Sequence, residues 1–270
     1  MSPLLRELAP ITAEAWALIE EEAKRTLKLK LAARKLVDFS GPLGWEASAV
    51  NTGRVKRLDE APADGAQASV RSVQPLVELR VPFELSREEL DAAVRGAKDP
   101  VLDAVREAAG AGAMAEDRAV FRGYAAGGIR GIAEEAAAVR LTLSDDYQAY
   151  PGVVAEAVNK LHFAGVEGPY GIALGPRCYT GLTKTTQGGF PVMEHVRRLL
   201  DGPLVWAPAV DGAVVLSLRG QDFELTVGQD FSIGYLEHSA SVVRLYLQES
   251  FTFRVLSAEA AVPLAYAKKA

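Results

Sequence analysis

The sequence predicts a chain of the α+β class, in which helices and strands are mixed without a repeating strand–helix unit. Residues 12–36 carry apolar side chains at helical spacing, which indicates an amphipathic helix. Residues 228–256 contain two runs of β-branched and aromatic residues around a turn-forming segment, which is typical of paired strands. This second segment holds no nucleophile–base pair, metal cluster or phosphate loop. It therefore favours a structural role over a catalytic one.

The first helix is predicted to begin after Thr12, whose hydroxyl can cap the first turn. Its opposite face is charged, and basic residues gather at its C-terminal end, where they suit the helix dipole. Glycine and proline in Gly41–Trp45 then indicate a turn after the helix. The predicted apolar stripe is Trp16, Ile19, Ala23, Leu27 and Leu31.

A long β-hairpin is predicted next, with arms at Ala47–Leu58 and Val70–Phe83 around the turn cluster Asp59–Gly65. Its charge density indicates that much of it projects from the body. A two-stranded arm is barely stable alone. We therefore expect it to rest on a neighbouring subunit.

Ser86 and Glu89 form a capping-box pattern that opens a short helix to about residue 94. A long helix is predicted over about residues 100–124, although Gly110 and Gly112 lower its propensity and suggest a bend. The loop 124–131 is rich in glycine, which suits positive φ angles. It lacks the Lys-Ser/Thr pair and the preceding strand of a phosphate-binding loop.

The remaining elements alternate in type. Helical segments are predicted at 150–164, 176–182 and 191–200, and strands at 166–174, 204–206 and 213–218, the last two joined by a short turn. The polar glycine segment Thr183–Gly189 between them has no core content.

Composition narrows the class of protein. The 270 residues suffice for one large or two small domains, and 49% hydrophobic residues with 24% charged residues are ordinary for a globular chain. The net charge of −5 provides no global field for nucleic acid or an anionic membrane. Cys178 is the only cysteine, which excludes an internal disulfide and fits a reducing cytoplasm. We recognise no signal peptide, and no apolar run approaches the roughly 20 residues of a membrane span.

Candidate catalytic or metal-binding groups are scattered. His162, His195 and His238 lie far apart, without a Cys or Asp at ligand spacing. Cys178 has no neighbouring His or Lys to lower its pKa. The paired carboxylates at 134–135 and 145–146 are adjacent in sequence, so their side chains point apart. The residues make no positive case for an enzyme.

The chain resembles a family-one encapsulin, the shell protein of bacterial and archaeal nanocompartments. The matching stretches run through almost the whole chain in order, and together they are specific although each is weak alone. They are Leu8–Thr12, Trp16, Arg34–Asp38, Gly41–Trp45, Pro75–Arg80, Arg95–Gly96, Glu116–Asp117, Phe121–Gly123, Gly168–Tyr170, Gly228–Tyr235 and Glu249–Phe253.

The resemblance implies the fold of tailed-phage capsid proteins of the Hong Kong 97 type, with a P-domain, an E-loop and an A-domain. The implied boundaries are residues 1–45 for the first part of the P-domain, 46–83 for the E-loop hairpin, 84–131 for the P-domain with its long helix, 132–223 for the A-domain and 224–270 for the last part of the P-domain.

The resemblance also implies a groove that binds a cargo peptide between the first helix and the late β segment. Carried over by position, the binding residues are Leu27, Leu31, Arg34, Asp38, Phe231, Ile233 and Tyr235. The implied five-fold pore loop is Thr183, Lys184, Thr185, Thr186, Gln187, Gly188 and Gly189. The alternatives are ordinary core packing for the first set and a solvated loop for the second.

The implied partners are copies of the chain in an icosahedral homo-oligomer of the T=1 type, and a cargo enzyme bearing a C-terminal targeting peptide. Ferritin-like iron oxidases and dye-decolorising peroxidases are the usual cargoes. We expect no cofactor, nucleic acid or membrane partner, and a cytoplasmic location. Some members bind flavin through a tryptophan in the helix after the E-loop, but Ser86–Leu90 has no aromatic residue.

Two other functions stay open. A phage or prophage major capsid protein would package DNA, and such proteins usually carry an N-terminal scaffolding extension, whereas this chain starts at its first helix. A hydrolase is the third hypothesis, because some family members were once labelled proteases. The lack of a recognisable catalytic triad counts against it.

Overall fold

The structure is a computed structural model that describes residues 3–267, so the outermost residues of the expected first and last segments lie outside it. Seven α-helices are described over this range, besides short 3-10 turns: α1 Ala13–Lys30, α2 Arg87–Val94, α3 Asp103–Arg122, α4 Ile132–Glu135, α5 Tyr150–Phe163, α6 Pro176–Lys184 and α7 Val192–Arg197. The strands are β1 Asp38–Ser40, β2 Ala49–Arg57, β3 Ser69–Pro75, β4 Val77–Ser86, β5 Leu141–Leu143, β6 Tyr170–Leu174, β7 Thr186–Gln187, β8 Phe190–Pro191, β9 Asp201–Trp206, β10 Ala213–Ser217, β11 Phe223–Val227, β12 Ser232–His238, β13 Val242–Val255 and β14 Ala261–Tyr266.

Two five-stranded sheets organise the molecule and confirm the α+β class. The first has the order β1-β11-β13-β12, with β4 also paired to β13, and the second has the order β5-β14-β10-β6-β9. In β13, Val243, Leu245 and Leu247 lie on one face of the strand, so this part of the first sheet has an apolar face. This face packs against α1 and α3.

The predicted long hairpin is wrong in its second arm. Only β2 and β3 pair with each other, and the chain turns at Leu76 so that β4 instead runs antiparallel to β13. Burial explains the difference, since Phe83 and Leu85 are enclosed on the sheet and would be exposed on a projecting strand. We call the β2–β3 hairpin with its turn, residues 49–75, the arm.

The first helix is shorter than predicted. It ends at Lys30, and the amides of Ala32 and Ala33 donate to the carboxylate of Asp117 at 2.9 Å instead of continuing the helical ladder. Asp117 is buried on α3, so this contact fixes the end of α1 against the long helix.

The predicted capping box at the start of α2 is wrong. The side chain of Ser86 makes no capping hydrogen bond, and Glu89 accepts from the amide of Val101 at 2.9 Å. Glu89 therefore ties α2 to the loop that follows it.

The predicted bend at Gly110 and Gly112 does not interrupt α3, which runs as one helix. A Cβ on Gly112 would lie 2.9 Å from the ring of Phe231 and 3.0 Å from Leu247. Glycine is present there because it allows the sheet to approach the helix.

The second sheet joins strands that are distant in sequence. Strand β6 lies between β9 and β10, so those two strands are not neighbours. The last described strand, β14, pairs with β10 and β5. Its residues Val262 and Leu264 are buried in the core of the second sheet, which accounts for the placement. None of the described helices is both long and apolar enough to cross a membrane.

Candidate functional site

A groove of about 480 Å³ lies between α1 and β12, and we call it the α1 groove. Its floor is apolar, formed by Leu27 from α1, Leu31 just after that helix and Ile233 from β12. Its rim carries charged groups. The lining residues are Leu4, Arg6, Glu20, Ala23, Lys24, Leu27, Lys28, Leu31, Arg34, Asp230, Phe231, Ser232, Ile233 and Leu247.

The local sequence explains how these side chains meet. Ala23, Leu27 and Leu31 are four residues apart, so the helix and its end present them on one face. Leu247 lies opposite Ile233 in the antiparallel pair of β13 and β12, which places both side chains on the same face of the sheet.

The edge of β12 that faces away from β13 is covered by the N-terminal segment at Tyr235 and open to the groove at Ile233. The amide of Tyr235 donates to the carbonyl of Leu4 at 2.9 Å, away from β13. In an antiparallel ladder, residues two apart point their amide and carbonyl groups the same way. The backbone groups of Ile233 therefore face the groove as well, and no hydrogen bond between Ile233 and the other described residues is observed outside the strand ladder.

Arg34 closes one end of the groove and is bound by three carboxylates. Its Nε donates to Glu116 at 2.9 Å, its Nη1 donates to Asp230 at 2.9 Å, and its Nη2 contacts both Glu116 and Glu249. The guanidinium also stacks near the rings of Phe39 and Phe231. We call Arg34, Glu116, Asp230 and Glu249 the arginine cluster.

Burial makes the arginine cluster electrostatically strong. Burial opposes the charge on Arg34, but the hydrogen bond and charge of Glu116 raise the pKa of Arg34 above its ordinary value. Burial and then the charge of Glu116 raise the pKa of Glu249 well above its ordinary value. Burial also raises the pKa of the adjacent Asp117 to about 7. The cluster therefore holds more carboxylates than positive charges.

The structure brings together five of the seven predicted cargo-binding residues, namely Leu27, Leu31, Arg34, Phe231 and Ile233. Tyr235 packs beside the same core, but its hydroxyl bonds His238 Nδ1 at 2.5 Å. Asp38 lies elsewhere, because its carboxylate accepts the amide of Gln221 at 2.5 Å. Arg34, which we expected to bind the peptide, already uses four of its five N–H groups on carboxylates of this chain.

Sequence reasoning missed part of the rim. Lys24 and Lys28 flank Leu27 on α1, and their spacing could have revealed them. Arg6 forms an ion pair with Glu20 and covers the ring of Trp16, a contact from the N-terminal segment that no local pattern indicates.

The predicted pore loop lies at one end of the second sheet. Thr183 and Lys184 complete α6, and Thr186–Gln187 pairs with Phe190–Pro191 as a small hairpin around Gly188 and Gly189. The carbonyl of Gln187 contacts His195 Nε2 at 3.1 Å, which ties the hairpin to α7. Thr185 joins the two parts. Its position at a pore stays a prediction.

Cys178 is buried rather than poised for chemistry. Its sulfur lies 2.7 Å from the hydroxyl of Tyr150 and 3.2 Å from that of Tyr266, and burial raises its pKa. A raised pKa reduces the thiolate fraction and hence its reactivity. Within residues 3–267, no group of three or more His, Cys, Asp or Glu side chains could hold a metal ion.

Comparison with known proteins identifies relatives along the full length of the chain. Residues 1–252 match the Linocin_M18 family, described as encapsulating protein for peroxidase. The type 1 encapsulin shell protein of Rhodospirillum rubrum is 58% identical, over 98% of this chain and 96% of its own length. The type 1 encapsulin shell protein of Mycobacterium tuberculosis is 47% identical, over 98% and 100%.

Solved structures confirm the expected fold. A virus-like particle protein from Pyrococcus furiosus superposes with a TM-score of 0.65 at 16% identity, covering 93% of this chain and 99% of that chain. A chain of Gordonia phage Cozz superposes with a TM-score of 0.58 at 16% identity, covering 89% and 87%. The chain thus has the fold of Hong Kong 97-type capsid proteins.

Proposed function

Because the chain belongs to the family of encapsulating proteins, together with the type 1 encapsulin shell proteins, we propose that it is a shell subunit. In this role it assembles with its own copies around a cargo enzyme. The α1 groove is the observation that carries the recruiting part of this proposal. It offers an apolar floor and an open strand edge on the same face.

The arm supports assembly. Its two strands pair only with each other, and Val55 and Val70 on it are at least half exposed. A hairpin without a third strand or a covering helix gains little stability in water. A second copy of the chain that packs on the arm would bury these side chains, and an icosahedral shell supplies such a neighbour at every subunit.

The α1 groove suits an extended peptide. Such a peptide can pair its backbone with Ile233 at the open edge of β12, while alternate side chains enter the floor formed by Leu27 and Leu31. Hydrogen bonds to the backbone supply affinity without sequence preference, and the apolar floor selects aliphatic or aromatic anchors. A short C-terminal targeting peptide of a cargo enzyme has the required form.

The family description names a peroxidase, which supports a peroxidase as the cargo. We therefore place a peroxidase first and a ferritin-like enzyme second as cargo. The segment Thr183–Gly189 would line the pore through which small substrates reach the cargo. The shell itself needs no cofactor for this role.

A capsid protein that packages DNA is the second candidate, because phage capsid chains share the fold. The two candidates differ in what purified particles contain. Particles whose ratio of absorbance at 260 nm to that at 280 nm is typical of protein, and which contain a co-purifying enzyme, support the function of a cargo shell. Particles that contain nuclease-protected DNA support the function of a DNA-packaging capsid.

The groove is tested by two leucine substitutions on the same helix. Leu27→Asp places a charge on the groove floor, whereas Leu29→Asp changes a side chain that is 64% exposed and does not line the groove. We expect both variants to form particles, seen by electron microscopy. We expect Leu27→Asp alone to lose a co-expressed fluorescent protein tagged with the C-terminal peptide of the cargo.

The outcomes separate the parts of the proposal. Cargo retained at wild-type amounts by Leu27→Asp particles would show that the groove is misplaced. A wild-type chain that stays a monomer or dimer on size exclusion would contradict assembly itself.

A further inference from the structure

One arginine of the first sheet contacts the root of the arm. Arg254 on β13 donates from Nη1 to the carbonyl of Asn51 at 3.2 Å and pairs through Nη2 with Glu224. Glu224 lies directly opposite Arg254 in the β11–β13 ladder, so its carboxylate holds the guanidinium in place. The Arg254 side chain is 21% exposed and belongs to the body of the molecule.

The arm loses its regular pairing just beyond this contact. Asn51 pairs with Val73 and Val55 pairs with Arg71, so four steps along β2 match two steps along β3. Gly53 lies in this bulge with a φ of 72°, and a Cβ there would meet no atom within 4 Å. Bulges bend and twist a strand. The bulge therefore marks the place where the arm changes direction.

A hollow of about 490 Å³ lies between the arm and the body at the level of the bulge. The arm is held on the body side of this hollow, by Arg254 at Asn51 and by Gln74, whose Nε2 donates to the carbonyl of Gly128 at 2.9 Å. Residues beyond the bulge are exposed on both strands. The direction of the outer arm therefore depends on how its root is fixed.

We propose that Arg254 is a positioning residue for assembly, which fixes the root of the arm while the bulge at Gly53 forms the joint beyond it. The arm is thereby presented to a second copy of this chain in one direction. This inference rests on the proposed assembly. Without Arg254, the folded subunit keeps its two cores but its arm takes several directions, so fewer encounters between subunits lead to growth of the shell.

The test compares two arginines of the same strand. Arg254→Met removes the contact with Asn51, whereas Arg244→Met removes an exposed arginine that pairs with Glu84 and Glu237 away from the arm. Shells are dissociated in denaturant and diluted, and reassembly is followed by light scattering and electron microscopy. We expect Arg254→Met to reassemble about tenfold more slowly, the effect of losing one charge-assisted hydrogen bond, with circular dichroism like that of Arg244→Met.

A conservative variant separates positioning from general stability. Arg254→Lys keeps one donor for Asn51 and should recover part of the reassembly rate, although it cannot hold Glu224 with the same fork. If Arg254→Met does not fold, Gly53→Ala decides, since alanine disfavours the positive φ of the joint without a steric clash. Slow reassembly of Gly53→Ala supports the inference, and a wild-type rate contradicts it.

A failure of this inference can be distinguished from a failure of the proposed assembly. Wild-type particles together with an Arg254→Met variant that reassembles at the wild-type rate overturn this inference alone. A wild-type chain that forms no particles overturns the proposed assembly, and this inference with it.

Discussion

The α1 groove is lined by side chains that the core of the chain already holds, whereas the arm leaves most of its side chains in solvent. Leu31, Ile233 and Leu247 in the groove are less than 8% exposed, and Val55 on the arm is 65% exposed. The groove is thus complete within one subunit, while the arm lacks a surface to pack on. Under the proposed function, a subunit would bind cargo before it assembles, and assembly would cover the arm.

The two regions also differ in charge. The end of the groove contains the arginine cluster, in which Glu116 and Glu249 are fully buried around one guanidinium. The charges of the arm lie on its exposed strands, where salt and water screen them. Substitutions should therefore have large effects on subunit stability at the groove and small ones at the arm.

The largest effect is expected for Arg34→Ala. This change leaves the buried carboxylates of Glu116 and Glu249 without their cation, and breaking a buried pair costs about 3–5 kcal/mol. Denaturant titration should show this loss of stability. Arg25→Ala on α1 removes an exposed ion pair with Glu22 and should cost less than about 1 kcal/mol. Equal effects of the two variants would contradict the assigned role of the cluster.

The next effect depends on pH. Burial raises the pKa of Asp117 from 3.8 to about 7, so its stabilising contribution is complete below pH 3.8 and is lost as the pH rises through about 7. The free energy of unfolding of the wild type, relative to that of Asp117→Asn, should fall by a few kcal/mol at most from pH 4 to pH 7, at about 1.4 kcal/mol per pKa unit. A pH-independent difference between the two would show that Asp117 titrates normally.

A smaller effect with opposite signs is expected at two glycines of α3. Gly112→Ala forces Phe231 toward the groove and should destabilise by about 1 kcal/mol net, with weaker cargo binding. Gly110→Ala meets only the flexible end of Lys30 and should stabilise by about 0.5–1 kcal/mol through helix propensity. Thermal melting of both variants checks the pair, and a stabilised Gly112→Ala would mean that the groove wall yields easily.

The smallest effect on subunit stability is expected on the arm. Val55→Ser changes an exposed side chain and should alter stability by less than about 0.5 kcal/mol. The same change should nevertheless reduce particle yield on size exclusion, because it removes apolar surface that a second copy would cover. A large drop in subunit stability would indicate that the arm packs within its own chain.

Sequence patterns predicted the elements whose causes are local. The stripe of α1, the alternation in β13 and the class of the fold follow from hydrophobic periodicity, and the groove-lining Leu27 and Ile233 followed from the family resemblance. The pairing of the strands and the contacts of Arg34 depend on residues that are distant in sequence. Whether residues 77–86 pair with β3 or with β13 depends on burial that no local pattern shows, and the three carboxylates that engage Arg34 lie between 82 and 215 residues away in sequence.

Hydrogen exchange measured by mass spectrometry, on dissociated subunits and on assembled shells, tests the contrast between the two regions most directly. We predict that peptides covering residues 49–75 exchange fast in the subunit and become strongly protected in the shell. Peptides covering α1 and β12 should be protected equally in both states. An arm already protected in the free subunit, or a groove that gains protection only on assembly, would contradict the account.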